Sequence, residues 1–579
     1  MNITAINHIP KSNYAYAYKE NEFHIRIRTA KNDLDEVRII YGPKFDWAGK
    51  QEHVMNKIMS DEYFDYYQYN IISDDTRIGY YFRLIEGDKS VLYTDVGLVD
   101  YVDDKISHCY YFQYPYINKI DVHKLPSWTR DVVFYQIFVE RFFNGNVDNS
   151  PANLTQWDAD PTPKSFYGGD LDGIIKKLDY IDDLGINGIY LTPIFESPSN
   201  HKYDTTDYMN IDNYFGDKDT FKELINKAHD KGIKVVLDAV FNHCGFNFAP
   251  FQDVIKNGKK SEYWDWFCIE NEPVVINPPN YKTFGFVSSM PKLNTTNPKV
   301  KEYLFSVVEY WTKEFKIDGW RLDVSDEIDH CFWRDFRNVV KGINEDVIII
   351  GENWYNAFPW LMGDQFDSVM NYPVTKLALN YFAEESLNAK QFSDRLGGLL
   401  MRYPKQVNEA LLNLLDSHDA ERFLTTCKGN TSKLKNAAAF IFGYIGMPCT
   451  YYGTEIGMTG AYDPGCRKGF DWNKENWDLN LYQFYKTLIS LRNDEAALKY
   501  GEVEFLSTES LFVMKRTWNN ESIYVLINQS VEDESFSIAS NHMHVKELIY
   551  DKELTFVNNA IKVNIPSMDV RFVKVINKL

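Results

Sequence analysis

At the start of the chain, apolar and polar positions alternate with a period of two. Phe23, Ile25 and Ile27 interleave with His24, Arg26 and Arg28, and Ile78, Tyr80, Phe82 and Leu84 interleave with Arg77, Gly79, Tyr81 and Arg83. This is the pattern of half-buried strands. The cluster Glu86-Gly87-Asp88-Lys89-Ser90 interrupts it before Val91-Leu92-Tyr93, as a turn between strands would. Residues 1–123 are therefore expected to form a β-sandwich. Past Pro126 the pattern changes. Val132–Val139, Ile186–Ile194, Lys234–Phe241, Asp318–Val324 and Val347–Gly351 are apolar runs of the kind found in strands buried on both faces, with shorter candidates at Ser368–Tyr372, Ala410–Leu415 and Thr450–Gly453. Amphipathic stretches separate them. Asp170–Leu184 places Leu171, Ile174, Ile175, Leu178, Ile181 and Leu184 at helical spacing, and further helices are expected at Asp217–Lys231, Val300–Phe315, His330–Ile343, 433–445 and 481–497.

About eight strand–helix units over about 375 residues argue for an α/β fold built on a (β/α)8 TIM barrel, spanning 124–498; a doubly wound sheet fits the same alternation. Residues 243–296 are too long for an ordinary βα loop. They hold Pro250, Pro273, Pro278, Pro279 and Pro291 and the aromatic set Tyr263, Trp264, Trp266, Phe267, Tyr281, Phe284 and Phe286, and read as a small subdomain inserted after strand three, over the barrel mouth. Residues 499–579 return to β, with a strand at Ser522–Ile527 behind a Trp518-Asn519-Asn520 turn, and predict a C-terminal β-sandwich.

Composition narrows the function classes. A net charge of −20 repels phosphate backbones and argues against nucleic acid as a partner. No apolar run approaches the ~18 residues of a membrane span, and the N-terminus lacks a basic region followed by an apolar one. The seven cysteines are scattered without CxxC pairs and read as free thiols. Together these point to a cytoplasmic protein. Aromatic residues make up 16% of the chain, which signals core and, in part, stacking platforms for flat ligands.

A barrel carries its active site at the C-terminal ends of its strands. Four expected strands end in polar groups there: Asp238 to His243, Arg321 to Asp323, Glu352-Asn353-Trp354, and Asp416-Ser417-His418-Asp419. One carboxylate at a strand end is usually a helix cap or an ion-pair partner; four on one rim suit glycoside hydrolysis, where one carboxylate attacks and another donates a proton. Arg321 and Asp323 share a strand face at i and i+2, so the guanidinium is expected to favour an ionised Asp323, the nucleophile. Glu352, behind an apolar run and beside Trp354, is expected to hold a proton. His243 and His418 are candidate donors to sugar hydroxyls.

These four segments resemble the four signature regions of the α-amylase superfamily, glycoside hydrolase family thirteen, over nearly the whole chain. Met290-Pro291-Lys292-Leu293-Asn294, His201-Lys202-Tyr203-Asp204-Thr205-Thr206-Asp207-Tyr208 and Gly363 to Pro373 resemble the neopullulanase, cyclomaltodextrinase and maltogenic amylase subfamily. So do Ala5-Ile6-Asn7-His8 and Arg26-Ile27-Arg28-Thr29, which look like its N-terminal starch-binding-like sandwich. The resemblance implies that Asp323 is the nucleophile, Glu352 the acid and then the base, and Asp419 the group that holds the distorted sugar. It places Asp238, Arg321, His243, His418, Tyr203 and His201 around the same sugar. Asp463 and Arg467 close the non-reducing side, and Trp354 and Phe286 are acceptor-side platforms.

The implied substrates are α-glucan oligosaccharides, cyclodextrins, pullulan and starch, cleaved with retention. In a retaining enzyme the two carboxyls lie about 5–5.5 Å apart. A transglycosylase on the same scaffold is the alternative, and a non-catalytic carbohydrate-binding protein is a third. The resemblance also implies a homodimer formed through the N-terminal domain. No cofactor is required for the chemistry. Two departures from the subfamily stand out. Val324-Ser325-Asp326-Glu327 has Asp326 where a neutral amide is common, which bears on the acceptor and on α-1,4 versus α-1,6 selectivity. The segment Asn144-Gly145-Asn146-Val147-Asp148-Asn149-Ser150, with Gly168 and Asp170, resembles a calcium loop, but Asn146 and Ser150 stand where carboxylates are common, and a plain Asn-rich turn is the alternative.

Overall fold

In the computed structural model, residues 1–102, 110–539, 544–554 and 560–576 are described. Cys109 lies outside them; the other six cysteines are free thiols. The N-terminal region is a sandwich of antiparallel sheets. One sheet joins Ala15–Lys19, Glu22–Ala30, Phe64–Ile72 and Asn56–Ser60; the other is built on Glu36–Pro43 and Ile78–Glu86. Phe23, Ile25 and Ile27 pack against Ile39, Tyr80, Phe82 and Leu84 from the facing sheet. The polar positions of Glu22–Ala30 do not all face water. His24 and Arg26 are buried, because this face lies against the barrel, and Arg26 Nη1–H donates to the carbonyl of Tyr403 (2.9 Å).

Eight parallel strands form the barrel: β1 (Phe134–Ile137), β2 (Gly188–Leu191), β3 (Lys234–Ala239), β4 (Gly319–Leu322), β5 (Ile348–Gly351), β6 (Ser368–Val369), β7 (Leu412–Leu414) and β8 (Met447–Tyr451). They neighbour one another in the order β6-β5-β4-β3-β2-β1-β8-β7, and a parallel bridge between Met370 and Leu412 joins the two ends. This is the (β/α)8 barrel. The solid apolar runs have their cause in it: the strands are covered by helices outside and by one another's side chains within. Carboxylates start the surrounding helices. Asp170, Asp217 and Asp329 accept from the backbone N–H groups of Gly173, Thr220 and Phe332 at the heads of Leu171–Asp183, Lys218–Asp230 and His330–Ile343. Helix His330–Ile343 buries Phe332, Trp333, Phe336 and Val340 as one stripe.

Several boundaries move. The strand expected over Ser368–Tyr372 stops at Val369, and Tyr372 opens a helix to Ala378 with Pro373 in its first turn, where the missing N–H costs nothing. The strand expected at Thr450–Gly453 runs from Met447 to Tyr451. The insert contains a helix, Ala249–Asn257, and bridges from His243 to Lys292 and from Phe267 to Leu293. Its aromatic residues are largely its own core: Phe251 packs edge-on against Phe267 (4.8 Å) and Tyr281 (5.0 Å). The C-terminal region is a second antiparallel β-structure. Leu511–Trp518 and Glu521–Asn528 form a hairpin, and Asn519 takes the positive φ (52°) that its two-residue turn requires.

Candidate active site

The strand ends converge on Arg321. It is fully buried at the end of β4, and its guanidinium serves three carboxyls. Nη1–H donates to both oxygens of Asp238 (2.9 Å each) and to Oδ1 of Asp323 (3.0 Å), while Nη2 lies 2.8 Å from Oε2 of Glu352 as an ion-pair contact. One planar group thus holds the Asp323 and Glu352 carboxyls beside each other. The second oxygen of Asp323, Oδ2, is buried and has no hydrogen-bond partner. Glu352 is more tightly held: Oε2 accepts from the backbone N–H of Val324 (2.9 Å) and Oε1 from the Trp354 indole (3.2 Å). Val324 reaches this position with a left-handed backbone (φ 45°), unusual for a β-branched residue and the kind of strain found where a group must be aimed.

One guanidinium cannot neutralise three buried carboxylates, and the titration directions reflect this. Burial pushes Asp323 well above the usual carboxylate range; Arg321 pulls it back, and the neighbouring charges of Glu352, Asp238 and Asp419 push it up again. Arg321 thus favours the ionised form of Asp323, but its charge is shared with two other carboxyls and works against burial. Burial also raises Glu352, opposed by Arg321. Asp238 is pushed up to about 6 by burial, against Arg321 and the hydroxyls of Tyr190 and Tyr203 (2.7 and 2.9 Å). The three carboxyls interact, so they titrate as a set, each held above its ordinary value.

Around this set lies a cavity of about 490 Å³ lined by His201, Tyr203, His243, Phe284, Met290, Asp323, Val324, Asp326, Glu352, Trp354, Asp419, Asp463 and Arg467. His418 stands behind it. The Gln136 amide on β1 donates to His418 Nδ1 (2.7 Å), which leaves the ring proton on Nε2, facing the Tyr203 hydroxyl and Oδ2 of Asp419 (3.0 Å). The Tyr203 ring lies parallel to the His418 ring at 5.4 Å. Burial and the cations Arg467 and Arg321 hold His418 well below its ordinary pKa, so it is neutral. His243, pushed down to about 3 by burial, is neutral as well; it stacks on Phe284 (4.9 Å), and its Nε2 has no partner. Arg467 joins Asp419 (3.1 Å) to Asp463 (3.0 Å) and donates Nε–H to the carbonyl of His418 (2.8 Å). The Lys202 ammonium, paired with Asp212 (2.8 Å), ties down the loop that presents His201 and Tyr203.

One expected position differs from the sequence reading. Phe286 is fully exposed and outside the cavity lining; the ring that reaches the cavity is Phe284, two residues earlier. Trp354 is both packed and presented: it stacks on Tyr372 (3.6 Å, 5°) and remains 48% exposed. Gln136 was not among the expected site residues, although a lone amide in a fully buried strand is a signal that it has a polar partner.

Away from the barrel mouth, Asp170 accepts three backbone N–H bonds, from Gly145 (3.0 Å), Asn146 (2.8 Å) and Gly173 (2.6 Å), and its carboxyl is pushed up to about 6 by burial. The side-chain oxygens of Asn144 and Asn149 are buried without partners, and Gly168 has positive φ (81°) with a Cβ position only 2.7 Å from the Asn144 amide. Among the described residues no three His, Cys, Asp or Glu side chains form a metal-binding group. The orphaned oxygens fit a hard cation held by amide and backbone oxygens.

A (β/α)8 barrel whose C-terminal rim gathers carboxyls around one arginine inside a sugar-sized cleft is the framework of a glycoside hydrolase. The α-amylase catalytic domain family matches residues 136–478 and the α-amylase N-terminal Ig-like domain family matches residues 1–118, so the chain belongs to the α-amylase family. It is 50% identical to a cyclomaltodextrinase of Geobacillus thermopakistaniensis (strain MAS1), over 91% of each chain, and 43% identical to the intracellular maltogenic amylase of Bacillus subtilis (strain 168), over 95% of this chain and 94% of that one. A solved structure of a cyclomaltodextrinase superposes with a TM-score of 0.95 at 42% identity, covering 99% of this chain and 100% of the other. Among the described residues no helix is long and apolar enough to cross a membrane.

Proposed function

We propose that this enzyme hydrolyses α-1,4-glucosidic bonds, and α-1,6 bonds to an extent set by Asp326, in cyclodextrins, maltooligosaccharides, pullulan and starch, by double displacement with retention. The observation that carries this reading is the carboxyl set on Arg321, with Oδ2 of Asp323 unengaged at the cavity. Asp323 Oδ2 attacks the anomeric carbon while Glu352 passes its proton to the departing glycosidic oxygen. Glu352 then takes a proton from water, whose oxygen attacks the same carbon and frees Asp323. Asp419, held by Arg467 and His418, binds hydroxyls of the reacting sugar, His243 Nε2 and the Tyr203 ring complete its walls, and Trp354 receives the leaving sugar. Parallel digests of β-cyclodextrin, pullulan and soluble starch at one enzyme concentration test the substrate class, with α-configured maltose and panose expected as products. Release of reducing sugar by Asp323→Ala would overturn the assignment.

The chain is further proposed to work inside the cell, as the name of the Bacillus subtilis relative supports. It is proposed to pair with a second copy whose N-terminal domain narrows the cleft, a reading supported by the fully exposed Phe286 beside the barrel mouth. Sedimentation velocity should then show a dimer; a monomer at working concentration would refute the pairing. The Asn144–Asn149 loop, with Gly168 and Asp170, would hold a calcium ion, which gives the unpartnered amide oxygens of Asn144 and Asn149 a partner and stiffens the loop. Added calcium should raise the melting temperature of EGTA-treated protein, and an unchanged temperature would mark the loop as a plain turn.

A further inference from the structure

A second cavity, of about 670 Å³, opens beside the catalytic one and falls in the size range of ligand sites, roughly 300–1,000 Å³. Trp354 belongs to both linings, so the two spaces meet at its ring. The second is walled by Tyr355 and Asn356 from the loop after β5, by Tyr372 and Arg402 from the barrel, and by Tyr63 from the N-terminal domain of the same chain. Its aromatic rings are presented rather than buried: Tyr355 is 56% exposed and Tyr63 is 69% exposed. Tyr63 meets the Phe64 ring only edge-on (6.3 Å). The Tyr63 hydroxyl makes no hydrogen bond with the described residues, and Tyr355 is set in place by donating to Asp326, which itself lines the catalytic cavity. Half-exposed tyrosines and an indole along a concave surface, with Asn356 and Arg402 as polar edges, offer stacking faces and donors to flat, hydroxyl-rich rings.

We infer that this groove is an extended acceptor site, in which the part of an α-glucan chain beyond the cleaved bond leaves across Trp354, passes Tyr355 and rests on Tyr63 of the same chain's N-terminal domain. The inference builds on the hydrolase reading above and adds a role for the N-terminal domain in cis, with Asp326 positioning Tyr355 at the junction. Short substrates do not reach Tyr63; longer ones do.

The test compares the full-length protein with Tyr63→Ala and Tyr63→Phe on p-nitrophenyl α-maltoside and on maltoheptaose, with association state followed by sedimentation velocity. Tyr63→Ala should lower kcat/KM on maltoheptaose about tenfold, the loss of one stacked ring, through KM more than kcat, and leave the short glycoside within about twofold. Tyr63→Phe keeps the ring and should stay near wild type on both. An equal fall on both substrates, no change on either, or a shift in association state would overturn the groove. Failure of the hydrolase reading itself would appear differently, as absence of turnover by the unaltered enzyme on both substrates.

Discussion

Replacing Arg321 with Met removes the only guanidinium among the central carboxyls while keeping a long apolar stem. In the folded enzyme that guanidinium contacts Asp238, Asp323 and Glu352, all within 3.0 Å. Asp238 shows the scale. A carboxyl lifted from about 4 in the unfolded chain to about 6 in the fold costs the folded state about 3 kcal/mol at neutral pH, even with Arg321 present. Removing the partner of a buried ion pair costs about 3–5 kcal/mol more. The sign follows from the direction of the shifts. A carboxyl raised by folding, as Asp238 is, is protonated and harmless below the unfolded value near ~4; the penalty grows as pH rises from there and levels off above about 6. In acid the neutral carboxyls leave Arg321 itself buried without counter-charge, so the Met variant loses nothing there. Calorimetric melting of the barrel from about pH 4.5 to about pH 8 should therefore show a deficit for Arg321→Met that is large at the alkaline end and shrinks toward zero at the acid end. A deficit of the same size across that range would mean a packing defect and refute the electrostatic account.

Other outcomes follow from the same geometry. Glu352→Gln should lower kcat/KM on maltooligosaccharides by about 10²–10⁴-fold, yet spare the bond-breaking step of glycosyl fluorides, whose leaving group needs no proton; these should show a burst of fluoride followed by slow turnover, because the base for water is lost too, and equal losses of kcat/KM on both would remove the acid role. Gln136→Leu takes the donor from His418 Nδ1 and frees the ring to change tautomer; kcat should fall several-fold and the pH profile should change shape, measured against Gln136→Asn as a partial restoration. Asp326→Asn keeps a hydroxyl acceptor for Tyr355 but removes a charge from the acceptor side. The ratio of α-1,4 to α-1,6 cleavage on pullulan should then shift, and an unchanged product ratio would separate Asp326 from selectivity.

The barrel was legible because its strands are buried on both faces and its helices carry full apolar stripes. Lys234–Ala239 and His330–Ile343 show both signals clearly. The catalytic rim was legible because four expected strands of one barrel end in carboxylates and histidines at the same end, although any one of them alone reads as a cap or an ion-pair partner. What escaped depends on contacts between distant segments. The sequence does not reveal that Arg321 divides its charge among three carboxyls, or that burial opposes its effect on Asp323. It does not show that the bend of the insert brings Phe284 inward and leaves Phe286 out. Nor does it show that the polar face of Glu22–Ala30 packs on Tyr403, which requires the two domains to be docked. The left-handed backbone of Val324, which aims an amide at Glu352, sits at a β-branched residue where local preference points the other way.

The central claim is that Asp323 forms a covalent bond to the anomeric carbon while Arg321 and Glu352 hold and assist it. Incubation with a slowly released fluorinated maltosyl fluoride, followed by peptide mass spectrometry, tests this most directly. The account predicts a glycosyl adduct on the peptide that contains Asp323, absent after Asp323→Ala, and α-configured products in free turnover. An adduct on Glu352 or Asp419, or β-configured products with no adduct, would contradict it.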